Sequence, residues 1–201
     1  MSALRRAPAA LQAVIFLLAV LATAAQADPL GGPGAGATYR TVRDIDNRFT
    51  IMLPAAWKVT TSHGDPALTA VSPPADAGLP ASLVIIVRDL PVPISPETCV
   101  YQAQYVTRRA IQRYASLDAG PEHVGALPAW SHAYVWTSKT GEERRSIQVC
   151  VTVGRRAILA IGTTGNRAAR VRDDMPELMR CIQSIRPATG SSAPEQPRGG
   201  E

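Results

Sequence analysis

The stretch SLVIIVRDLPVPISPETCVYQAQYVTRRA, residues 82–110, decides the architecture. Its first nine residues are apolar on both faces through Leu83, Val84, Ile85, Ile86 and Val87, the mark of a central strand covered on both sides. A helix then begins: Ser95 is a good N-cap, Pro96 suits the first helical position, and Glu97 favours the positive end of the helix dipole. Val100, Ala103, Val106, Ala110, Tyr114 and Leu117 recur at helical spacing, with Arg108, Arg109 and Arg113 on the outer side. Asp118-Ala119-Gly120-Pro121 is the predicted stop.

Upstream, the chain reads as short strands. Residues 38–43 are β-prone, and Asp44-Ile45-Asp46-Asn47 marks a turn. Phe49, Ile51 and Leu53 alternate with Thr50 and Met52, so residues 48–53 form a half-buried strand ended by Pro54. Residues 57–61 follow, with Trp57 and Val59 on one face, then residues 68–72 after the His63-Gly64-Asp65-Pro66 turn.

Downstream, residues 130–138 and 144–153 flank Lys139-Thr140-Gly141-Glu142, a hairpin turn by composition. Gly154-Arg155-Arg156 turns into a third strand over 157–163. A last helix takes Val171, Met175, Leu178, Ile182 and Ile185 as its buried stripe. Asp174 and Glu177 have capping-box spacing, which places Pro176 in the permissive first turn. The predicted fold class is α+β: a mainly antiparallel sheet, one helix after the first strands, and a C-terminal helix packed on it. Phe49, Trp57, Leu83, Ile85, Val149, Ile161 and Ile182 are expected in one core.

Residues 1–27 have the three parts of a cleavable secretory signal in order. Arg5 and Arg6 form the basic end, residues 11–22 the apolar core, and Ala25-Gln26-Ala27 the small-x-small cleavage site. The apolar core is shorter than the roughly 20 residues of a spanning helix, so an integral membrane protein is not expected. Residues 28–37 are a glycine-rich lead-in, 38–186 one domain, and 187–201 a tail without apolar periodicity, expected to be disordered.

The formal charge of +5 falls to +3 once Arg5 and Arg6 are removed. That is too weak for nucleic acid or a polybasic membrane anchor. Arg144, Arg145, Arg155, Arg156, Arg167, Arg170 and Arg172 could make weak contact with an anionic envelope surface. A solvated surface balanced by Glu142, Glu143, Asp173 and Asp174 is the expected reading, because mixed-sign charge is what ordinary surfaces carry.

With this layout the chain resembles the PsbP-like superfamily, which includes the extrinsic photosystem II subunit, DcrB-like periplasmic proteins and a yeast factor that binds the GTPase Ran. The resemblance is carried by F-T-I-M-L-P-A-A-W-K-V over 49–59 and by the strand at 82–90 with its following helix. It extends to G-A-L-P-A-W at 125–130, G-R-R-A-I-L-A-I-G at 154–162, and the closing C-I-Q-S-I-R at 181–186. It covers most of residues 48–186 and implies a non-enzymatic binding or assembly factor. No metal or partner residue of the family can be matched to a position here, and no cofactor is implied.

The residues themselves offer little chemistry. G-x-S-x-G, P-loop and H-E-x-x-H patterns are absent, and His63, His123 and His132 are too scattered to predict a metal site. Trp130, His132, Tyr134 and Trp136 share one strand face and could form an aromatic ligand platform. Core packing beneath a helix, with His132 as a polar edge, explains the same pattern and is expected. Three exported cysteines permit one disulfide and one free thiol. Cys150 and Cys181 are the expected pair if the terminal helix returns onto the sheet, with Cys99 as competitor for either. The reading is therefore an exported, non-enzymatic binding or assembly module of the cell envelope. Its partner would be an envelope protein or a small ligand. The alternative is a small envelope hydrolase whose site assembles from scattered residues.

Overall fold

The computed structural model describes residues 38–74, 79–165 and 174–188; residues 1–27 read as an export signal, the expected lead-in, most of the expected tail, and Arg167, Arg170, Val171, Arg172 and Asp173 lie outside them. The described elements are β1 (Tyr39–Arg43), β2 (Phe49–Pro54), β3 (Lys58–Thr61), β4 (Leu68–Val71), β5 (Ser82–Asp89), α1 (Pro96–Ala110), β6 (Gln112–Val124), β7 (Leu127–Thr137), β8 (Glu143–Val153), β9 (Arg156–Gly165), α2 (Met175–Gln183) and β10 (Arg186–Pro187). Seven strands form one antiparallel sheet in the order β3-β4-β5-β9-β8-β7-β6, and β1, β2 and β10 form a second, smaller one.

The large sheet is covered on both faces, as β5 predicts. Leu83, Ile85 and Val87 join Ile158, Ala160, Val149 and Val151 on one face, beneath α2 and the Phe49, Ile51 and Leu53 row of β2. Val84 and Ile86 point the other way and meet Ala157, Leu159 and Ile161, beneath the Val100 and Ala103 side of α1. Ile161 therefore leaves the core expected for it. Along β9 the side chains alternate, so Ile158 and Ala160 face α2 while Leu159 and Ile161 face α1. Gly162 lies beneath α2: a Cβ there would meet the Leu178 Cβ at 3.3 Å and Ile147 Cγ2 at 3.4 Å.

Helix α1 starts as the sequence indicates, with the Ser95 hydroxyl accepting the Thr98 N–H at 3.1 Å. Its end is a correction. The helix stops at Ala110, Ile111 is extended, and Arg113 turns the chain with φ 47° into β6. The predicted stop at 118–121 lies inside that strand, where Pro121 pairs opposite Trp130. A proline fits because β6 is an edge strand and its outer side needs no ladder hydrogen bond. At the other helix, Pro176 sits in the first turn as expected, but Asp174 makes no side-chain cap, so the capping box does not form. Arg186 and Pro187 pair with Thr50 and Phe49, and the Ala188 N–H donates to the Arg48 carbonyl at 2.9 Å. The folded domain thus runs past residue 186 into the segment expected to be tail.

The cysteine pairing is the second correction. Cys99 is bonded to Cys150 across a Cα separation of 6.3 Å, and Cys181 is free and buried. Cys150 does point with Ser146 and Gln148, as its parity requires, but that face lies under α1. Cys181 belongs to α2 on the opposite face, so the sheet itself separates the two thiols. Burial pushes the Cys181 thiol up to about 12, which keeps it protonated and inert.

Two outcomes follow from this packing. Ile85→Ala removes a fully buried side chain from the α2 face and is expected to cost about 2–5 kcal/mol, read as a lower urea midpoint. Non-reducing peptide mapping is expected to recover a Cys99–Cys150 linked peptide and an unlinked Cys181 peptide. Replacing both bonded cysteines with alanine should cost about 2–4 kcal/mol.

Candidate functional site

Beneath α1 the sheet changes character. Near Cys99 the contact is apolar, but further along the helix it rests on polar side chains of β6, β7, β8 and β9. Strand register builds this layer. His132 lies opposite Gln148 and Ala119; Tyr134 lies opposite Ser146 and Ser116; Ser146 in turn lies opposite Thr163. Residues directly opposed in a ladder share a face, so these side chains gather on the α1 side of the sheet, with Ser116 at its solvent-exposed margin on the edge strand.

His132 is the centre of the layer and is only 1% exposed. Its Nε2 lies 3.0 Å from the Tyr114 hydroxyl, 3.0 Å from the Ser116 hydroxyl and 3.4 Å from Gln104 Nε2. An amide nitrogen can only donate, so Nε2 is assigned as the acceptor and the ring proton to Nδ1. His132 Nδ1 and Gln148 Oε1, on opposed residues, are both buried without a hydrogen-bond partner. Gln148 Nε2 donates to Thr107 Oγ1 of α1 at 2.9 Å. Trp136 Nε1 donates to Ser146 Oγ at 2.9 Å, and Ser146 Oγ lies 2.9 Å from Thr163 Oγ1. The His132 ring stacks on Tyr134 with centroids 5.4 Å apart, and Tyr114 tilts against both.

Burial lowers the His132 pKa below its ordinary value, against a smaller opposing pull from Gln148. Burial likewise raises the Tyr134 phenol well above its usual range, so both rings are neutral. The Ser116 to His132 contact has the geometry of a nucleophile and its base. What differs is the rest of the arrangement: Nε2 is also held by Tyr114 and Gln104, and the residue opposed to the ring is an amide, Gln148, in place of a carboxylate.

The four residues singled out on β7 are thus brought onto one face. His132, Tyr134 and Trp136 are buried and Trp130 is half-buried at the apolar end, beneath α1. A helical reading of residues 111–117 keeps Tyr114 and Ser116 away from His132, and Gln104, a polar helix residue off the apolar stripe, carries no signal of its own in the sequence. Gln148 was visible as a polar residue on the Cys150 face. His63 meets Asp46 at the surface at 2.6 Å and His123 is exposed, so the histidines do not converge. Among the described residues no group of three His, Cys, Asp or Glu is placed to hold a metal. The arginine pairs at the strand ends are partly neutralised: Arg156 meets Asp89 at 2.8 Å and Arg144 meets Glu142 at 3.6 Å.

No protein-family model matches the sequence, and no curated protein matches it. Solved structures do share the fold. The cyanobacterial PsbP of Synechocystis superposes with a TM-score of 0.56 at 11% identity, covering 80% of this chain and 100% of that one. LpqN of Mycobacterium tuberculosis, described as involved in cell envelope biogenesis, superposes at 0.50 with 19% identity, covering 76% and 92%. The Ran-binding protein Mog1p of Saccharomyces cerevisiae superposes at 0.51 with 7% identity, covering 75% and 96%. The fold is PsbP-like, as the sequence resemblance implied.

The depressed His132 pKa fixes a pH dependence. A histidine held neutral in the fold but free to protonate when unfolded contributes stability above its unfolded pKa of about 6.5. That stability is lost as pH falls below this value and through the depressed native one. Urea midpoints of the wild type are expected to fall between pH 7.5 and 5.5, and those of His132→Gln to change less. A wild-type midpoint flat across that window would contradict a buried neutral ring.

Proposed function

We propose that this chain is an exported binding or assembly module of the cell envelope, working through surface contacts without turnover. The observation that carries this reading is the state of His132. The one histidine gathered with other functional side chains is itself only 1% exposed, and its acceptor nitrogen is occupied by Tyr114 and Gln104 as well as by Ser116 at the exposed edge. Such a layer fixes a helix; it does not present a base to solvent.

Other observations support the reading. The Cys99–Cys150 bond suits an oxidising compartment, in agreement with the export signal read at residues 1–27. Among the described residues no helix is long and apolar enough to cross a membrane. The fold is shared with a protein described as involved in cell envelope biogenesis and with a Ran-binding protein, and a binding role comes to this chain from them by fold-level analogy alone.

The hydrolase reading keeps one specific support, the 3.0 Å contact between Ser116 Oγ and His132 Nε2. One experiment separates the two. The chain carrying a C-terminal affinity tag is expressed with its leader, recovered from the envelope, sequenced at its N-terminus and treated with a fluorophosphonate probe. The expected result is a mature start at Asp28, specific co-purification of envelope proteins identified by mass spectrometry, and no labelling. Labelling that Ser116→Ala abolishes would establish the hydrolase instead.

A further inference from the structure

We propose that the outer face of α1 is the docking surface of this module and that its partner is a carboxylate-rich segment of another protein; the assignment rests on the binding-module reading above. Tyr101, Tyr105 and Arg109 follow one another at intervals of four residues, so they form a single row along the helix. Tyr101 is 51% and Tyr105 is 53% exposed. The Arg109 guanidinium carbon lies 4.1 Å from the centre of the Tyr105 ring, which aligns the charge with the aromatic row. Arg108 flanks it in the last turn, and Arg113 follows just beyond the helix end.

The charge of this face is unbalanced. Arg48, Arg88, Arg144, Arg156 and Arg180 each meet a carboxylate within this chain. Among the described residues Arg108, Arg109 and Arg113 meet none, like Arg40, Arg43, Arg145, Arg155 and Arg186; what sets this face apart is that three such arginines fall within six residues while the sole carboxylate between residues 96 and 117 is Glu97, at the opposite end of the helix. A surface of this kind lacks acidic groups that a partner can supply.

The side chains also indicate what kind of acid. Tyrosine and arginine are the residues that carry binding energy at protein interfaces, and the planar guanidinium fork matches a carboxylate bidentately. A lipid surface calls for apolar side chains that sink below the headgroups. The exposed face of α1 offers Thr98, Gln102 and the two tyrosines between its charges, with no Leu, Phe or Trp. The row from Tyr101 to Arg109 is about 12 Å long at the α-helical rise, a match for about two turns of a partner helix.

The row is ordered before any partner arrives. Ser95 caps the helix, Cys99 bonds it to β8, and Thr107 and Gln104 tie its inner face to Gln148 and Tyr114. A surface fixed in this way loses little entropy on binding.

The test uses the exported chain and a fluorescein-labelled helical peptide bearing glutamates and leucines on one face, with a lysine-for-glutamate peptide as control. Fluorescence anisotropy is expected to show binding of the glutamate peptide alone, weakened by added salt. Tyr105→Ala and Arg109→Ala should each reduce affinity about tenfold. Arg109→Lys should also weaken binding, because it keeps the charge and loses the fork. Arg43→Ala, at an exposed arginine of β1 away from α1, should leave it unchanged. Unaltered urea midpoints show that the variants fold. No binding by the wild type, equal loss with Arg43→Ala, or Arg109-dependent binding to phosphatidylglycerol vesicles in place of the peptide would overturn the proposal. If the tagged wild type and the Tyr105→Ala/Arg109→Ala double variant retain the same envelope proteins, the surface is wrong while the module reading stands. If the wild type retains none, the module reading itself fails.

Discussion

The structure depends on one constraint, the period-two alternation of side chains through β5, β9 and β8 in a sheet covered on both faces. Each of these strands sends one parity toward α2 and the other toward α1. Ile85, Ala160 and Val149 lie in one set, and Val84, Ile161 and Gln148 in the other. A one-residue slip in any pairing would exchange the two sets. It would bring Gln148 and Ser146 against Leu178 and Ile182, where no polar partner is available to them. The register is therefore specified by the mismatch between a dry face and a partly polar one.

That difference sets what each helix can do. α2 lies on aliphatic side chains and comes close enough that a Cβ at position 162 would crowd Leu178. Its contact gains from area removed from water, about 25 cal/mol per Å2 of apolar surface, and tolerates small adjustments. α1 has an apolar hold near Cys99, Val100 and Ala103, but beyond them its Gln104 and Thr107 meet Tyr114, His132 and Gln148. Buried hydrogen bonds contribute modestly when made and cost much more when broken, so this half of the contact specifies one position of the helix. The Cys99–Cys150 bond secures the other half.

The sequence was legible where pattern and burial coincide. β5 reads as a doubly buried strand because five consecutive apolar residues have no other use, and α1 begins where Ser95 and Pro96 say it must. The β7–β8 hairpin and β9 follow from the same reasoning. The misreadings share a cause: β6 is an edge strand, paired on one side only, so its apolar content is low and its alternation faint. Tyr114 and Leu117 happen to continue the helical spacing, and the chain departs from it at Ile111 and at the left-handed Arg113, a position no propensity marks. The site was partly legible for the same reason. His132, Tyr134 and Trp136 could be placed on one face, but Tyr114 and Ser116 could not be brought to them while residues 111–117 were read as helix. The disulfide failed on a different point: local parity gave the direction of Cys150, yet which helix covers that face is a tertiary fact outside any single strand.

The same argument separates the two faces of α1. Its inner residues have little freedom, since Thr107 must keep its buried bond to Gln148 and Gln104 its bond to Tyr114. Its outer residues are under no such demand, and a helix chosen only for solubility would carry alternating Glu and Lys there at four-residue spacing. The face instead carries Tyr101, Tyr105, Arg108 and Arg109, with Glu97 alone at the far end. Arginine over tyrosine is a costly way to be soluble, because the stacked pair holds two long side chains in one arrangement. The arrangement gains most when a partner completes it. A helix fixed on its inside by a disulfide and a hydrogen-bonded layer is the element of this fold best able to offer such a row in constant geometry.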